Sequence, residues 1–426
     1  MLIFSAFSAA TFLQTIVFKD YNKHGINIDT GFRSLAIIFA VLSVSNFIGP
    51  AVIEKLGSRM SLFLSIIPNV IFIYSLYEPY EWSVYLLSAL LGVGGGVLWS
   101  ANGEVIARNS PGDTKPRNTG IFWSWFQMSC ILGNTFLYFQ LGNADTITDR
   151  TRHIIFLVLG SFSAAGMMSF LLLRSPPKVE GATIEGPGQQ SLLQPIKDGL
   201  KFAVSREMAL LYPAFIFTGL SMNFWSSMLI VCVGNVFPKR KYLALTGISV
   251  GLGAVASGFL WSALTYRIGR RGVLICATII CLISYTLVFL SFPFDAATTP
   301  EARAQDTPII SSNIYLALAA GFLEGLGDGG FNVSIISTLG AVYEANPAPA
   351  FAVFKFVQCI LTMSAFLYCG TLLLPYQLLI LAVTCLLGCA VFLVLDTRQV
   401  DNRQVENGQV DHMVEEDVDE TLLPIA

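Results

Sequence analysis

The sequence predicts an all-α integral membrane protein with about twelve transmembrane helices, arranged as two six-helix halves. Its 426 residues are 54% hydrophobic and only 12% charged, whereas charged residues make up about 25% of a soluble domain. A helix that spans a bilayer needs roughly 20 apolar residues, so a chain of this length can supply about a dozen. The third observation is that several motifs occur once in each half of the chain.

Apolar runs bounded by glycine, proline or charged residues define the predicted spans. Those of the first half are 1–18, 32–53, 60–77, 82–107, 118–139 and 153–173. Those of the second half are 206–232, 243–266, 272–292, 313–340, 349–373 and 376–396. The first run begins at Met1 without a basic region or a small-residue cleavage site, which argues against a removable signal peptide.

Two segments lack the composition of a span. Residues 174–205 are rich in proline and glycine, and we expect them to form a cytosolic linker between an amino-terminal bundle (1–173) and a carboxy-terminal bundle (206–396). Residues 397–426 are acidic and contain few aromatic side chains, a composition typical of a disordered tail.

The distribution of basic residues predicts the orientation of the chain. Lysine and arginine are more frequent in the segments on the same side as the two termini, which predicts that both termini are cytosolic. Lys239, Arg240 and Lys241 lie in a loop of the opposite side and weaken this bias. The sequence does not distinguish the plasma membrane from an endomembrane.

Short basic turns recur after spans two and eight. Their residues are Glu54, Lys55, Gly57 and Arg59 in the first copy and Arg267, Gly269, Arg270 and Arg271 in the second. We expect each glycine to form a tight turn and the arginines to remain on the cytosolic face. The glycine-rich runs 92–96 and 325–329, in spans four and ten, also correspond. No strand precedes the run 92–96, so close helix packing is a better interpretation than a phosphate-binding loop.

The segments 50–62 and 262–274 resemble the loop signature of the major facilitator superfamily. Both copies keep the glycine and the final leucine, but the aspartate of the signature is replaced by Glu54 and Tyr266. More narrowly, the chain resembles the Unc-ninety-three-like family of that superfamily from span one to span twelve. The segments that carry this resemblance are 99–103, 117–123, 133–134, 325–328 and 349–358.

The resemblance implies two similar halves around a central cavity lined by spans one, four, seven and ten. It also implies that relatives carry additional residues before span one. Members of this family act in channel regulation and receptor trafficking, so a partner protein in the membrane is one expectation that follows from it.

Charged residues inside the predicted spans are few and concentrate in spans ten and eleven. A charge at the bilayer centre costs at least about 2.5–3.5 kcal/mol, so each such residue needs a partner or a watery cavity. Glu324, Asp328 and Asn332 recur every four residues and share one helix face, and Lys355 and Gln358 lie close together in span eleven. The candidate site for a solute or a proton is therefore Asp328, Lys355, Glu324, Asn332, Gln358 and Asn102.

Two interpretations of the charges remain open. A Lys355 ammonium that changes its carboxylate partner could bind a solute or a proton, whereas a fixed ion pair would only join two helices, and buried ion pairs are weak evidence for either role. The leading hypothesis is a secondary transporter that moves a small solute by alternating access. The alternative is a non-transporting accessory or trafficking subunit that binds another membrane protein, such as a channel or a receptor.

Other classes of function find no support in the sequence. The three histidines lie in or beside loops or the tail, so no set of Ser, His and Asp or of Cys and His indicates an enzyme. We predict neither a metal site nor a cofactor. The expected partners are the lipid bilayer and a small solute, and the lack of a basic tract argues against nucleic acid.

Overall fold

Twelve long helices follow one another in the part of the chain that the structure describes. The computed structural model describes residues 1–21, 26–27, 29–110, 115–173, 201–298, 307–343 and 347–395. The first six helices are α1 (Leu2–Asp20), α2 (Thr30–Ser45), α3 (Gly49–Ser75), α4 (Glu81–Arg108), α5 (Lys115–Leu141) and α6 (Asp149–Ser169). The next six are α7 (Arg206–Val236), α8 (Lys241–Thr265), α9 (Arg267–Ser291), α10 (Ile314–Val342), α11 (Pro347–Cys369) and α12 (Leu374–Leu395).

Among the described residues, eight helices are long and apolar enough to cross a bilayer by length and composition alone. α1 and α2 supply shorter apolar segments, Leu2–Phe18 and Thr30–Ser45. A helix satisfies its own backbone hydrogen bonds, as a lipid environment requires of any spanning segment. The predicted all-α architecture is confirmed, and the protein is an integral multi-pass membrane protein.

Two glycines break the helices where the sequence predicts tight turns. Gly57 has a φ of +73° and Gly269 a φ of +69°, a region that favours glycine because it has no Cβ. Gly57 interrupts α3, and Gly269 lies near the start of α9, a few residues after the end of α8. We call the face of the bundle that carries these turns the turn face. The opposite face carries residues 142–148 and 237–240, and we call it the loop face.

The glycine-rich runs in α4 and α10 bring each helix close to two neighbours. In the run 92–96, both end residues approach the backbone of α2, and Gly94 approaches the backbone of α3 at Ser65. In the run 325–329, both end residues approach α8, and Gly327 approaches α9. The predicted close packing of residues 92–96 is confirmed. The glycines of the second run likewise allow α10 to approach two neighbouring helices closely.

The two halves of the chain are in contact on the loop face. Lys239 Nζ lies 3.2 Å from a carboxylate oxygen of Asp145, and the backbone N–H of Arg240 donates to the carbonyl of Ala144 at 2.9 Å. Phe39 of α2 and Phe366 of α11 stack with their ring centroids 5.7 Å apart. These contacts join α5, α7, α8 and the α2–α11 pair across the boundary between the halves.

Among the described residues, contact between α5 and α8 does not extend to the turn face. A Cβ at Gly247 would lie 2.5 Å from Asn134 of α5, and one at Gly251 would lie 2.9 Å from Ile131. Gly258 lies on the same face of α8 two turns further along, and a Cβ there would meet no described residue within 4 Å. The halves are therefore packed together on the loop face and separated between α5 and α8 on the turn face.

The predicted linker and tail lie largely outside the described residues, which omit 174–200 and everything after 395. The division into bundles 1–173 and 206–396 therefore stays a prediction. At the start of α7, the hydroxyl of Ser205 accepts a hydrogen bond from the backbone N–H of Met208, as expected of a residue that caps a helix.

Candidate functional site

Two carboxylates on α10 share one hydroxyl from α7. Glu324 and Asp328 are four residues apart, so their side chains lie one above the other on the same helix face. Ser221 Oγ lies 2.9 Å from Glu324 Oε1 and 2.9 Å from Asp328 Oδ1. Glu324 is completely buried, whereas Asp328 is half-buried. The cluster therefore has a sealed end at Glu324 and a more accessible end at Asp328.

Each carboxylate has one further donor. The Tyr285 hydroxyl of α9 donates to Glu324 Oε1 at 3.2 Å. Asn332 Nδ2 donates to Asp328 Oδ2 at 3.1 Å and to the Asp328 carbonyl at 3.0 Å. Glu324 Oε2 is buried and has no hydrogen-bond partner among the described residues. A buried polar atom without a partner is uncommon in folded proteins, so this end of the cluster is under-satisfied.

Close packing of α7 against α11 positions Ser221. A Cβ at Gly219 would lie 2.5 Å from the carbonyl of Gln358, and Thr362 Oγ1 of α11 donates to the Gly219 carbonyl at 2.8 Å. Just after Ser221, α7 contains a π-helical turn, Phe224–Met228; such turns are frequent at functional sites. This turn includes Trp225, whose indole nitrogen is buried without a partner among the described residues and lies near Asp328.

Lys355 lies near this cluster but does not touch its carboxylates. Its Nζ donates to Gln358 Oε1 at 2.7 Å and lies 4.7 Å from the centroid of the Phe354 ring. The Lys355 charge acts on Asp328, although no carboxylate oxygen of a described residue lies within 4.0 Å of Nζ. In this conformation the Lys355 charge is held by Gln358, so the pair is not a closed ion pair.

Asn102 is the one predicted site residue that belongs to the first half. It is half-buried in α4 and makes no hydrogen bond with a described residue. One turn earlier, Trp99 meets Phe4 of α1 and Phe126 of α5, with ring centroids 5.4 Å and 5.3 Å away. Near Asn102, the first half thus has a group of aromatic rings in contact with one another. No described contact joins Asn102 to the residues of α10 or α11.

The residues of the loop signature lie on the turn face, away from the carboxylates. Glu54, Lys55 and Arg267 are exposed, and Arg59, Arg270 and Arg271 are half-buried. Arg59 donates to the carbonyl of Leu171, just beyond the end of α6. The last carbonyls of a helix lack partners within it, so this arginine ties the first signature loop to α6.

Sequence reasoning missed Ser221 and Tyr285. Ser221 carried a weak signal, since it precedes Asn223 and Trp225, which stand out as polar or aromatic residues in span seven. Tyr285 follows Ser284 in a span without charged residues, and nothing in the sequence indicates that α9 lies against the carboxylates. Only the packing of α7, α9 and α10 shows that both residues contact Glu324.

Comparison with known proteins gives relatives along most of the chain. The family described as "Ion channel regulatory protein UNC-93" matches residues 22–393. The UNC93-like protein MFSD11 of Xenopus laevis is 35% identical over 403 residues, which cover 90% of each chain. Protein unc-93 homolog A of Mus musculus is 21% identical over 431 residues, which cover 89% of this chain and 87% of the relative.

Solved structures of transporters share the fold. A POT family transporter in complex with 5-aminolevulinic acid has a TM-score of 0.65 at 12% identity, and the match covers 93% of this chain and 94% of the other. The nucleoside transporter NupG has a TM-score of 0.63 at 14% identity, with 92% and 96% covered. Identities this low show the fold alone, which is that of the major facilitator superfamily. Because the family description matches 22–393, the chain belongs to the UNC-93 family.

Proposed function

We propose that this protein is a secondary transporter that moves a small solute across the membrane by alternating access. The observation that carries the proposal is the polar cluster of Ser221, Glu324, Asp328 and Lys355 in the middle of helices from one half. These charges lie inside a bundle whose halves are packed on one face and separated between α5 and α8 on the other. Costly intramembrane charges that face the interior mark solute or ion pathways in membrane proteins.

The solute would bind at the accessible end of the cluster. Asp328 and Lys355 are both half-buried, and they are not in direct contact. An ammonium has three donors and Lys355 uses one on Gln358, so the others are available to a solute oxygen. Asn332 and Asn102 would add neutral hydrogen-bonding groups from the two halves. Rocking of one half against the other, as in related folds, would then change the partners of Lys355 and Asp328.

The proposal includes an orientation. With both termini in the cytosol, as the basic residues predict, the turn face is cytosolic and the separation between α5 and α8 opens toward the cytosol. The loop face, held by Lys239 with Asp145, would then close the pathway on the other side. The conformation described above would be the inward-facing state of the cycle.

A second candidate function rests on the description of the family. That description names a channel regulatory protein, which favours an accessory subunit that binds another membrane protein. Such a subunit needs no solute site, and the cluster around Ser221 would then only join α7, α9 and α10.

A thermal-shift screen tests the first candidate. Purified protein in detergent is heated with a broad panel of anionic, cationic, zwitterionic and neutral solutes. A bound solute at roughly 100 times its dissociation constant stabilises the folded state by about 2.7 kcal/mol. We expect a stabilising solute whose effect is lost in Asp328→Asn and retained in Glu104→Gln. Glu104 is a suitable control because its carboxylate already has Arg108 at 2.5 Å and Ser58 at 2.7 Å.

The outcomes separate the two candidates. A solute that stabilises the wild type and Glu104→Gln but not a folded Asp328→Asn supports transport and gives the chemical class of the substrate. A solute that stabilises all three proteins equally removes Asp328 from the binding site. If nothing in the panel stabilises any of the three folded proteins, the accessory-subunit function becomes the better explanation.

A further inference from the structure

The two contacts of Ser221 bear on the protonation state of the carboxyl groups of Glu324 and Asp328. A serine hydroxyl has one hydrogen to donate, and its oxygen can accept others. An ionised carboxylate has no hydrogen at all. Ser221 Oγ lies 2.9 Å from Glu324 Oε1 and 2.9 Å from Asp328 Oδ1. Both contacts can be full two-centre hydrogen bonds only if one of the two carboxyl groups carries a proton and donates it to Oγ. With both carboxylates ionised, the single hydroxyl hydrogen would have to be shared between two acceptors.

The surroundings also disfavour two ionised carboxylates. Like charges that share a site raise the free energy of the doubly ionised state, and an ion that is buried without a cation is costly. The side-chain nitrogen of Lys355 is bonded to Gln358, and the other neighbours of Glu324 are neutral. The described titratable side chains that face the pair are Tyr285 and Cys281 on α9 and Lys355 on α11, with Cys385 of α12 beside Cys281.

We infer that Glu324 and Asp328 hold one exchangeable proton between them and that Ser221 passes it from one to the other. When Asp328 is protonated, its O–H donates to Ser221 Oγ while the Ser221 O–H donates to Glu324 Oε1. In the transfer, the Asp328 O–H bond breaks as Oγ takes that proton, and the original Ser221 proton forms a new O–H bond on Glu324. One proton thereby moves from Asp328 to Glu324, and the serine is regenerated.

The two ends of this relay differ in access. Asp328 is half-buried and therefore more open to proton exchange with water than Glu324, which is completely buried. Glu324 therefore stores the proton and Asp328 loads or releases it. If the chain is the transporter proposed above, this proton is the coupling ion. The assignment of this proton as the coupling ion rests on the proposed function, whereas the shared proton itself does not.

Infrared spectroscopy of the full-length protein in lipid nanodiscs at neutral pH tests the shared proton. We expect the carbonyl band of a protonated carboxylic acid in the wild type, its loss in Glu324→Gln and its retention in Glu104→Gln. Labelling glutamate with ¹³C in the wild type should move the band without any substitution, so the assignment does not depend on the folding of a variant. A wild-type spectrum at neutral pH without a glutamic-acid band overturns the inference.

The exchange of this proton for deuterium tests the role of Ser221. In Ser221→Ala, exchange of the glutamic-acid band in D₂O should slow by roughly a hundredfold, the range in which a positioned group accelerates proton transfer. Ser221→Thr keeps the hydroxyl and should exchange at nearly the wild-type rate. Equal exchange rates in the wild type and Ser221→Ala would remove the serine from the relay.

The result is independent of the solute screen. A glutamic-acid band without any stabilising solute supports the shared proton and favours the accessory-subunit function over transport. If a solute stabilises the wild type but not Asp328→Asn, and no glutamic-acid band is present, the transport proposal stands and the shared proton is overturned.

Discussion

At the scale of single residues, the charges of this protein are of two kinds. Arg152 is only 2% exposed and is fully engaged, since it contacts Asp149 at 2.6 Å and Glu78 at 3.2 Å and lies over the Tyr21 ring. Lys355 has no such contact with a carboxylate of a described residue. Partnered charges at the loop face stabilise the fold, while the less satisfied charges in the middle of α10 and α11 are those on which the proposed transport function rests.

Glu78 gives a prediction about pH. A hydrogen bond from Tyr21, at 2.9 Å, and then contacts with His153 and Arg152 lower the pKa of Glu78. Burial and this hydrogen bond raise the pKa of Tyr21 to about 12, so Tyr21 stays a donor throughout the acid range. A carboxyl group whose folded pKa is lowered stabilises the fold above its unfolded pKa, and the effect is lost as pH falls through the folded value.

We therefore expect the melting temperature of the wild type to fall more than that of Glu78→Gln as the pH falls below about 4, the ordinary range of a glutamate. Scanning fluorimetry from neutral pH downward measures the difference, which will be small because Glu78 is 43% exposed and solvent screens such pairs. Tyr21→Phe removes the hydrogen bond that lowers the pKa of Glu78 most. In the Tyr21→Phe protein, adding Glu78→Gln should therefore change the pH dependence of the melting temperature less than it does in the wild type. Parallel pH profiles for wild type and Glu78→Gln would contradict this prediction.

At the scale of helices, small residues decide which pairs approach closely. In α8, a Cβ at Gly253 would overlap the carbonyl of Phe322 in α10, and in α10 a Cβ at Gly325 would overlap the carbonyl of Val250 in α8. The two glycines let the backbones of α8 and α10 meet. Membrane helices associate largely through such close packing, because lipid removes the hydrophobic drive between them. This packing also fixes the face of α10 that carries the carboxylates.

Two alanine substitutions in α8 test this packing. Gly253→Ala should destabilise the protein by about 1–3 kcal/mol, the usual effect of overpacking, because the obstructing atom is backbone. Gly258→Ala should be neutral or stabilising by up to about 1 kcal/mol through helix propensity, since no described residue lies within 4 Å of a Cβ at that position. Both values come from thermal unfolding in detergent. Equal melting temperatures for the two variants would show that α8 and α10 are not in backbone contact.

At the scale of the whole molecule, the two halves touch on the loop face and separate between α5 and α8 on the turn face. The Lys239–Asp145 pair is partly exposed, at 40% and 64%, and such pairs contribute at most about 1 kcal/mol. A contribution of that size cannot lock the halves permanently. It is suited to biasing an equilibrium between two conformations.

Charge reversal at this pair tests that bias. Asp145→Lys should increase the population with a separated loop face by up to about thirtyfold, because an attraction of at most about 1 kcal/mol is lost and a repulsion of similar size replaces it. Adding Lys239→Asp should restore the wild-type distribution. Spin labels on cysteines placed at Asn143 and Pro238 report the distance, after Cys130 and Cys276, which are not fully buried, are replaced by alanine. An unchanged distance distribution in Asp145→Lys would show that the pair does not influence closure.

The sequence by itself determined the class of the fold. Its composition and apolar runs predicted the spans, because a helix in lipid must be apolar over a fixed length. Gly57 and Gly269 were predictable as turns, since each follows a span and precedes arginine, and both have positive φ. Glu324, Asp328 and Asn332 were placed on one face by helix periodicity alone, and they lie there.

The tertiary structure decided what those residues touch. The sequence suggested a carboxylate partner for Lys355, but its nitrogen meets Gln358, which is within reach on the same helix. Ser221 and Tyr285 reach Glu324 from α7 and α9, at distances along the chain that no local pattern encodes. A helix period fixes the face on which a side chain lies, whereas its partners depend on how separate helices pack, and that packing is decided by the whole chain at once.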